Sequence, residues 1–333
     1  MVINKLTFKR FNKSMDYIKL IRPINLLMTA LVVCLMQFCV VNPIIYNTCG
    51  LSIDYFPVIF SLLMVSIITI AASGYVINDY FDTKIDEINR PQRVIVGKTI
   101  TRSQAGTYFQ TLLIIGNLAG VALAFMIKDV TTVFIYAGVS GILWFYSSSY
   151  KRQLLLGNIM IAICTFLCVF LVGYVSNKAL ILKIQNNQEL LQMLILLKSD
   201  PVQAVWRWTL GYALFAFLFT LIREMVKDIE DIEGDREMEC RTMPIVWGVT
   251  ASKVVISVIT VITMALVGFF SIAYLNAASN RVVASFAVAV EALCLFFIYQ
   301  LWTAKCRSGY TAASLTLKIT MLAGMLSAII VDI

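Results

Sequence analysis

No histidine occurs anywhere in the 333 residues, and that absence removes several chemistries at once. Ser–His–Asp triads, histidine general bases, histidine-ligated haem and HExxH metal sites all require an imidazole. Any catalysis must use carboxylates, Lys, Arg, Tyr or a bound metal. Charge is scarce too: 14% of the chain is charged, against about a quarter in soluble domains. The eight cysteines form no CxxC pair, and most sit inside apolar runs (Cys34, Cys39, Cys164, Cys168, Cys294). Without histidine they complete no mixed zinc site, and packing is their expected role. No Gly/Ser-rich linker interrupts the chain, so a single domain over residues 1–333 is expected.

What the chain has in abundance is apolar length. It is 60% hydrophobic with a mean hydropathy of +0.84, far above a soluble domain. Windows of about 20 residues, enough to cross a ~30 Å hydrocarbon layer, pick out spans near 24–46, 57–77, 105–127, 130–150, 154–176, 206–226, 254–275, 282–302 and 311–331. Such unbroken runs are helices, because open sheet edges in lipid leave backbone groups unpaired and barrel strands are short and alternating. The expected fold is all-α, a polytopic membrane protein with nine transmembrane helices.

A net charge of +8 raises the question of nucleic acid, but the basic residues fall on alternate loops. With the N-terminus in the cytoplasm, 20 of the 27 Lys and Arg lie on that side. This positive-inside pattern accounts for the charge without a nucleic-acid partner. The first apolar run is too long for a signal-peptide core and lacks a clear small-residue cleavage site. Residues 1–23 are therefore expected to be a basic cytoplasmic segment preceding the first helix in the cell membrane.

Two cytoplasmic connections, 78–104 and 227–253, are longer and more charged than helix connections need. Twelve of the 19 acidic residues lie within 79–87 and 224–239. A third insert, 177–204, lies on the opposite side and mixes Leu190, Leu191, Leu194 and Ile195 with Gln, Asn and Lys. It reads equally as an amphipathic surface helix or a solvated loop.

The first charged segment runs NDYFDTKIDEINRPQR from Asn78, and the second REMVKDIEDIEGD from Arg223. Asp79, Asp82 and Asp86 are spaced i, i+3, i+7, which on a helix advancing ~100° per residue puts three carboxylates on one face. Asp228, Asp231 and Asp235 repeat the spacing, with Glu224 one turn earlier and Gly234 a candidate helix end. Stacked carboxylates repel, so the arrangement calls for a compensating cation. Oxygen ligands without His or Cys select a hard ion, and magnesium characteristically joins a few carboxylates to a substrate's phosphates.

These two segments resemble the paired aspartate motifs of the UbiA superfamily of intramembrane prenyltransferases, and the span layout matches it over nearly the whole chain. The resemblance implies that Asn78 and Asp82, and Asp231 and Asp235, are magnesium and diphosphate ligands, with Asp79, Asp86 and Asp228 in support. Further matches are Arg22-Pro23-x-Asn25, Tyr146-x4-Lys151 and Gly157-Asn158, and in such enzymes a lysine at the Lys151 position contacts diphosphate. Within the superfamily, YFDTKIDEINRP and KDIEDIEGD are most similar to the enzymes that add the second ether-linked geranylgeranyl chain, to geranylgeranylglyceryl phosphate. Chlorophyll synthases share part of the first phrase. The chain departs from those relatives at Arg93-Val94-Ile95-Val96-Gly97 and in the 177–204 insert.

The chemistry to expect is allylic C–O ionisation of a prenyl diphosphate, with Arg90, Arg93, Lys151 and Lys227 helping magnesium neutralise the leaving group. A lipid hydroxyl or an aromatic carbon then captures the cation, near aromatic faces such as Tyr80, Phe81, Phe145, Tyr146 and Tyr150. A transporter would carry its carboxylates at mid-bilayer rather than at the membrane edge. A scaffold with acidic docking loops explains neither the repeated spacing nor the adjacent bases. Two charges fall inside spans, Glu291 and Lys318, and a structural pair is one reading of them.

Overall fold

The computed structural model describes residues 14–50, 56–89, 91–92, 94–275 and 281–329. Arg90, Arg93 and most of the basic N-terminal segment lie outside these. Among the described residues the structure is helical, with one isolated bridge between Val96 and Ile100.

In chain order the helices are α1 (14–20), α2 (Pro23–Leu35), a π-helix (Met36–Val41), α3 (Asn42–Cys49), α4 (Phe56–Asn89), α5 (Arg102–Met126), α6 (Thr131–Ser148) and α7 (Leu156–Gln185). They continue as α8 (Gln188–Leu196), α9 (Pro201–Glu230), α10 (Ile232–Glu237), α11 (Met243–Val246), α12 (Val249–Leu275), α13 (Arg281–Thr303) and α14 (Arg307–Leu326). Eight helices among the described residues are long and apolar enough to span a membrane. The expected span at 130–150 is helical as α6. This helix is 18 residues long, opens on Thr-Thr and closes on Ser-Ser, and is not one of the eight.

Two boundaries differ from expectation. The connection expected to begin at 78 stays helical to Asn89, because Asn78–Asn89 carries no Gly or Pro to stop α4. In the 177–204 insert, α7 runs on to Gln185 and α8 follows, capped by Asn187, whose side chain accepts the Leu190 N–H at 3.1 Å. Leu190 and Leu194 are buried and pack with Cys49, Ile184 and Met193. The helix forms, with Leu190 and Leu194 turned into the protein while Leu191 and Ile195 stay exposed.

The chain divides into two compact units. One contains the described residues up to Leu31 together with Tyr55–Lys151 and Glu233–Glu239; the other contains Val32–Asp54, Arg152–Ile232 and Cys240–Ile333. In the first, α4, α5 and α6 pack on one another. Thr101 and Gln104 form a reciprocal capping box at the start of α5. The helices approach closely where Gly120 faces the Tyr136 ring, and polar links tie them, Ser66 Oγ to the Tyr136 hydroxyl at 2.7 Å and Asn117 Nδ2 to Ser140 Oγ at 3.0 Å. Small residues and hydrogen bonds are the expected adhesives where lipid is as apolar as leucine.

In the second unit α7 packs along α9, and α9, α12, α13 and α14 pack around the core of Phe219, Ile222, Phe297, Leu301 and Leu317. Gly173 lets α7 sit against Thr209 of α9. The π-helix precedes Pro43, and the Asn42 N–H reaches back five residues to the Gln37 carbonyl. Buried Gln37 donates to Asn42 Oδ1 at 2.8 Å and accepts from Ser176 Oγ at 3.2 Å. Glu291 Oε1 is buried without a hydrogen-bond partner, and Lys318 is exposed.

Candidate active site

In the first unit the acidic face is the last stretch of an unbroken helix, as its spacing predicts. Asp82 is buried, 5% exposed, and Lys151 forms an ion pair with it. Lys151 is placed by a single 3-10 turn, Tyr150–Arg152, directly after α6. Asp79 accepts from Arg22 Nη2 at 2.6 Å. Arg22 has a left-handed backbone, φ 52, immediately before Pro23, and strain of this kind in a non-glycine residue points to a local function. Its guanidinium also lies 5.2 Å from the Tyr75 ring. Burial works against the Arg22 charge, but Asp79 outweighs it and holds the guanidinium above its ordinary range.

Asn78, Asp86, Asn25 and Tyr146 are all half-buried; the Asn25 carbonyl accepts from Thr29 Oγ1 at 3.1 Å. Of the aromatics singled out, Tyr80 and Phe81 stand edge to face at 5.2 Å, and Phe81 continues to Trp144 at 5.7 Å. Arg102 stacks over Tyr80 at 4.7 Å. Phe145 and Tyr150 meet at 6.2 Å.

In the second unit the matching face is interrupted. α9 ends at Glu230, Asp231 is its cap, and α10 begins at Ile232. The helix therefore stops four residues before Gly234, the expected end, and Asp235 does not continue the face of Asp228 and Asp231; it belongs with the first unit. The carboxylate at this helix end is held from outside the helix: Asp231 Oδ1 accepts from Arg307 Nη2 at 2.8 Å, and Arg307 Nε lies 4.0 Å from Glu230 Oε1. Asp228 Oδ2 accepts from Asn158 Nδ2 at 2.9 Å. Glu224 is buried and holds Lys227 Nζ at 2.6 Å and Arg223 Nη1 at 3.0 Å.

Arg307 escapes sequence reasoning, in which it is one positive-inside charge among many. Its turn is fixed by Lys253 Nζ and the Tyr310 hydroxyl, both donating to the Ala304 carbonyl at 2.9 and 3.2 Å. A base at the first turn of the last helix was the only available signal.

Among the described residues no three His, Cys, Asp or Glu side chains converge as a ready metal cage. The donors are nonetheless all carboxylate or amide oxygens. Magnesium usually takes only one or two carboxylates together with substrate phosphates, so the donor chemistry fits that ion. What each carboxylate holds is a base or an amide: Arg22 on Asp79, Lys151 on Asp82, Asn158 on Asp228, Arg307 on Asp231.

Membrane-spanning helices carrying two acidic segments lined with bases are the architecture of an integral membrane enzyme, and the chain belongs to the UbiA prenyltransferase family, whose pattern it matches over residues 48–322. It is a prenyltransferase and an integral membrane protein. It is similar to the digeranylgeranylglyceryl phosphate synthase of Methanobrevibacter smithii, 30% identical over 85% of both chains. That of Methanothermobacter thermautotrophicus is 32% identical over 78% of both. Among solved structures, one concerning digeranylgeranylglyceryl phosphate synthase in membranes superposes with a TM-score of 0.60, at 22% identity over 96% of this chain and 99% of that one. A UbiA homolog from Archaeoglobus fulgidus bound to GPP and Mg2+ gives 0.53, at 13% identity over 94% and 99%. At these identities the structural likeness speaks for the fold.

Proposed function

We propose that the chain transfers a geranylgeranyl group from its diphosphate to the hydroxyl of geranylgeranylglyceryl phosphate, on the cytoplasmic side of the cell membrane. The observation that carries this reading is the pairing of acidic segments with bases in a chain whose curated relatives, at 30 to 32% identity, are named for that product.

The ligands for magnesium are Asn78, Asp79, Asp82 and Asp86 in one segment and Asp228, Asp231 and Asp235 in the other. When bound, the ion would neutralise diphosphate and make it a better leaving group. Lys151 and Arg22, held at the first segment, and Lys227 and Arg307, held at the second, supply positive charge to phosphate oxygens; Arg90 and Arg93 belong to the same stretch of sequence as the first. The allylic C–O bond breaks with its electron pair leaving on the diphosphate. A lone pair of the acceptor hydroxyl then forms the new C–O bond to the carbocation. With no histidine in the chain, the hydroxyl proton goes to a carboxylate or to the released diphosphate. An apolar bundle interior suits this step because water would quench the cation.

The test is magnesium-dependent transfer of label from geranylgeranyl diphosphate in purified membranes, offering geranylgeranylglyceryl phosphate and, separately, 4-hydroxybenzoate. Label in the glycerol lipid supports the reading. Label in the aromatic moves the chain to the quinone-type enzymes, and label in neither overturns the assignment.

A further inference from the structure

At the end of α9 away from the acidic segment, the second unit contains a cavity of about 150 Å³ bounded by α9, α12, α13 and α14. Its inner wall is apolar, with Phe215, Leu218, Val267 and Val290, while Arg207 and Trp208 stand at its other end. Arg207 is exposed and makes no ion pair or hydrogen bond to another described residue. It lies between Trp206 and Trp208, the residue type that collects at membrane–water interfaces. An unpaired cation at the interface above an apolar slot is complementary to a phosphate carrying a hydrocarbon chain.

Dimensions agree. From Arg207 to Leu218 the helix rises about 16 Å, half of a ~30 Å hydrocarbon layer and so the depth of one leaflet's chain. Gly211 lies between them, and a Cβ built there meets no heavy atom within 4 Å. The slot is thus kept open by a missing side chain rather than by a strained one. Along the same helix Arg207 is about 30 Å from Asp228, too far for its partner to be a reacting phosphate.

We propose that this cavity binds one bilayer phospholipid with an anionic headgroup, its phosphate on Arg207 and one chain passing Gly211 toward Leu218. The site is separate from the reaction and does not depend on the acceptor assigned above.

The test is native mass spectrometry of the full-length protein, delipidated in detergent and titrated with phosphatidylglycerol or phosphatidylcholine. The wild type is expected to retain a single phosphatidylglycerol in preference to phosphatidylcholine. Arg207→Gln should weaken phosphatidylglycerol about fivefold, the worth of one surface cation near an anionic lipid, and erase the preference. Gly211→Phe should fill the slot and abolish the single retained lipid of either type, while Gly211→Ala keeps it; thermal melts confirm that each variant is folded. Equal retention of the two lipids by wild type, or a phosphatidylglycerol adduct indifferent to both Arg207→Gln and Gly211→Phe, overturns the proposal.

Discussion

The two acidic segments share a spacing but not a construction. In the first, Asp79, Asp82 and Asp86 stay on one continuous helix, and the central carboxylate is buried beneath Lys151, with the two side chains 8% and 14% exposed. In the second, the helix stops at Asp231, whose partner Arg307 is 39% exposed. An i, i+3, i+7 pattern makes a face only while the helix lasts. The first segment holds a desolvated pair on a continuous helix, and the second is a helix end gripped from outside.

The sharpest way to probe that difference is to remove one carboxylate from each. Asp82→Ala removes the buried carboxylate that pairs with Lys151, and should cost about 3–5 kcal/mol of stability along with roughly 100-fold or more of activity. Asp231→Ala should lose comparable activity, yet cost no more than about 1 kcal/mol, because a half-exposed pair is screened by solvent. Melting temperature in detergent and initial transfer rate distinguish the two; equal destabilisation would erase the contrast. Pairing Lys151→Met with Asp82→Asn should restore much of the stability and none of the transfer.

Chelation is the next test in size. Removal of divalent ions with EDTA should abolish transfer, and magnesium should restore it, whereas Asp82→Ala and Asp231→Ala should shift the magnesium titration to higher concentration. Full activity in EDTA would contradict the proposed ligands in both segments.

A smaller effect is expected from Arg307→Gln. With Asp231 released, transfer should fall about tenfold, chiefly through a raised KM, and Arg307→Lys should recover part of it by supplying charge without the bidentate fork. An unchanged KM for both substrates would reduce Arg307 to a structural clamp.

The smallest expected effect lies in the first unit, at Asp16. Burial raises its pKa, but the hydrogen bonds from Lys19 and Thr99 and the Lys19 charge outweigh this and hold the carboxyl below its ordinary value. A depressed carboxyl contributes stability above the unfolded carboxylate pKa of about 4, and that contribution disappears as pH falls through the folded value. Asp16→Asn should therefore change melting by at most a degree or so near neutrality and flatten the acid limb; a large shift at pH 7 would contradict this.

Much of this architecture was legible beforehand because lipid leaves the backbone few options. Apolar length located the helices, and the repeat of Asp79, Asp82 and Asp86 needed only helical geometry. What escaped was set by contacts between residues far apart in sequence. Arg307 lies 76 residues from Asp231, and no local pattern announces that the contact accompanies an early helix end. Asn78–Asn89 looked like a loop on charge alone, although it contains no helix breaker. Gln37 was a polar residue in an apolar run until Asn42 and Ser176 accounted for it.

The π-helix at Met36–Val41 gives the first span an unusual response to length. A wide turn takes up one residue more than an α turn over nearly the same rotation, so the helix beyond it keeps its phase: Asn42 Oδ1 accepts from Gln37, and the Thr48 carbonyl accepts from the Ser199 hydroxyl at 3.2 Å. Deleting a residue from the ordinary α turns of α3, where no wide turn absorbs the change, would rotate everything beyond it by about 100° and take the Thr48 carbonyl away from Ser199. The wide turn is thus the one place in this span where a change of a single residue in length can be absorbed.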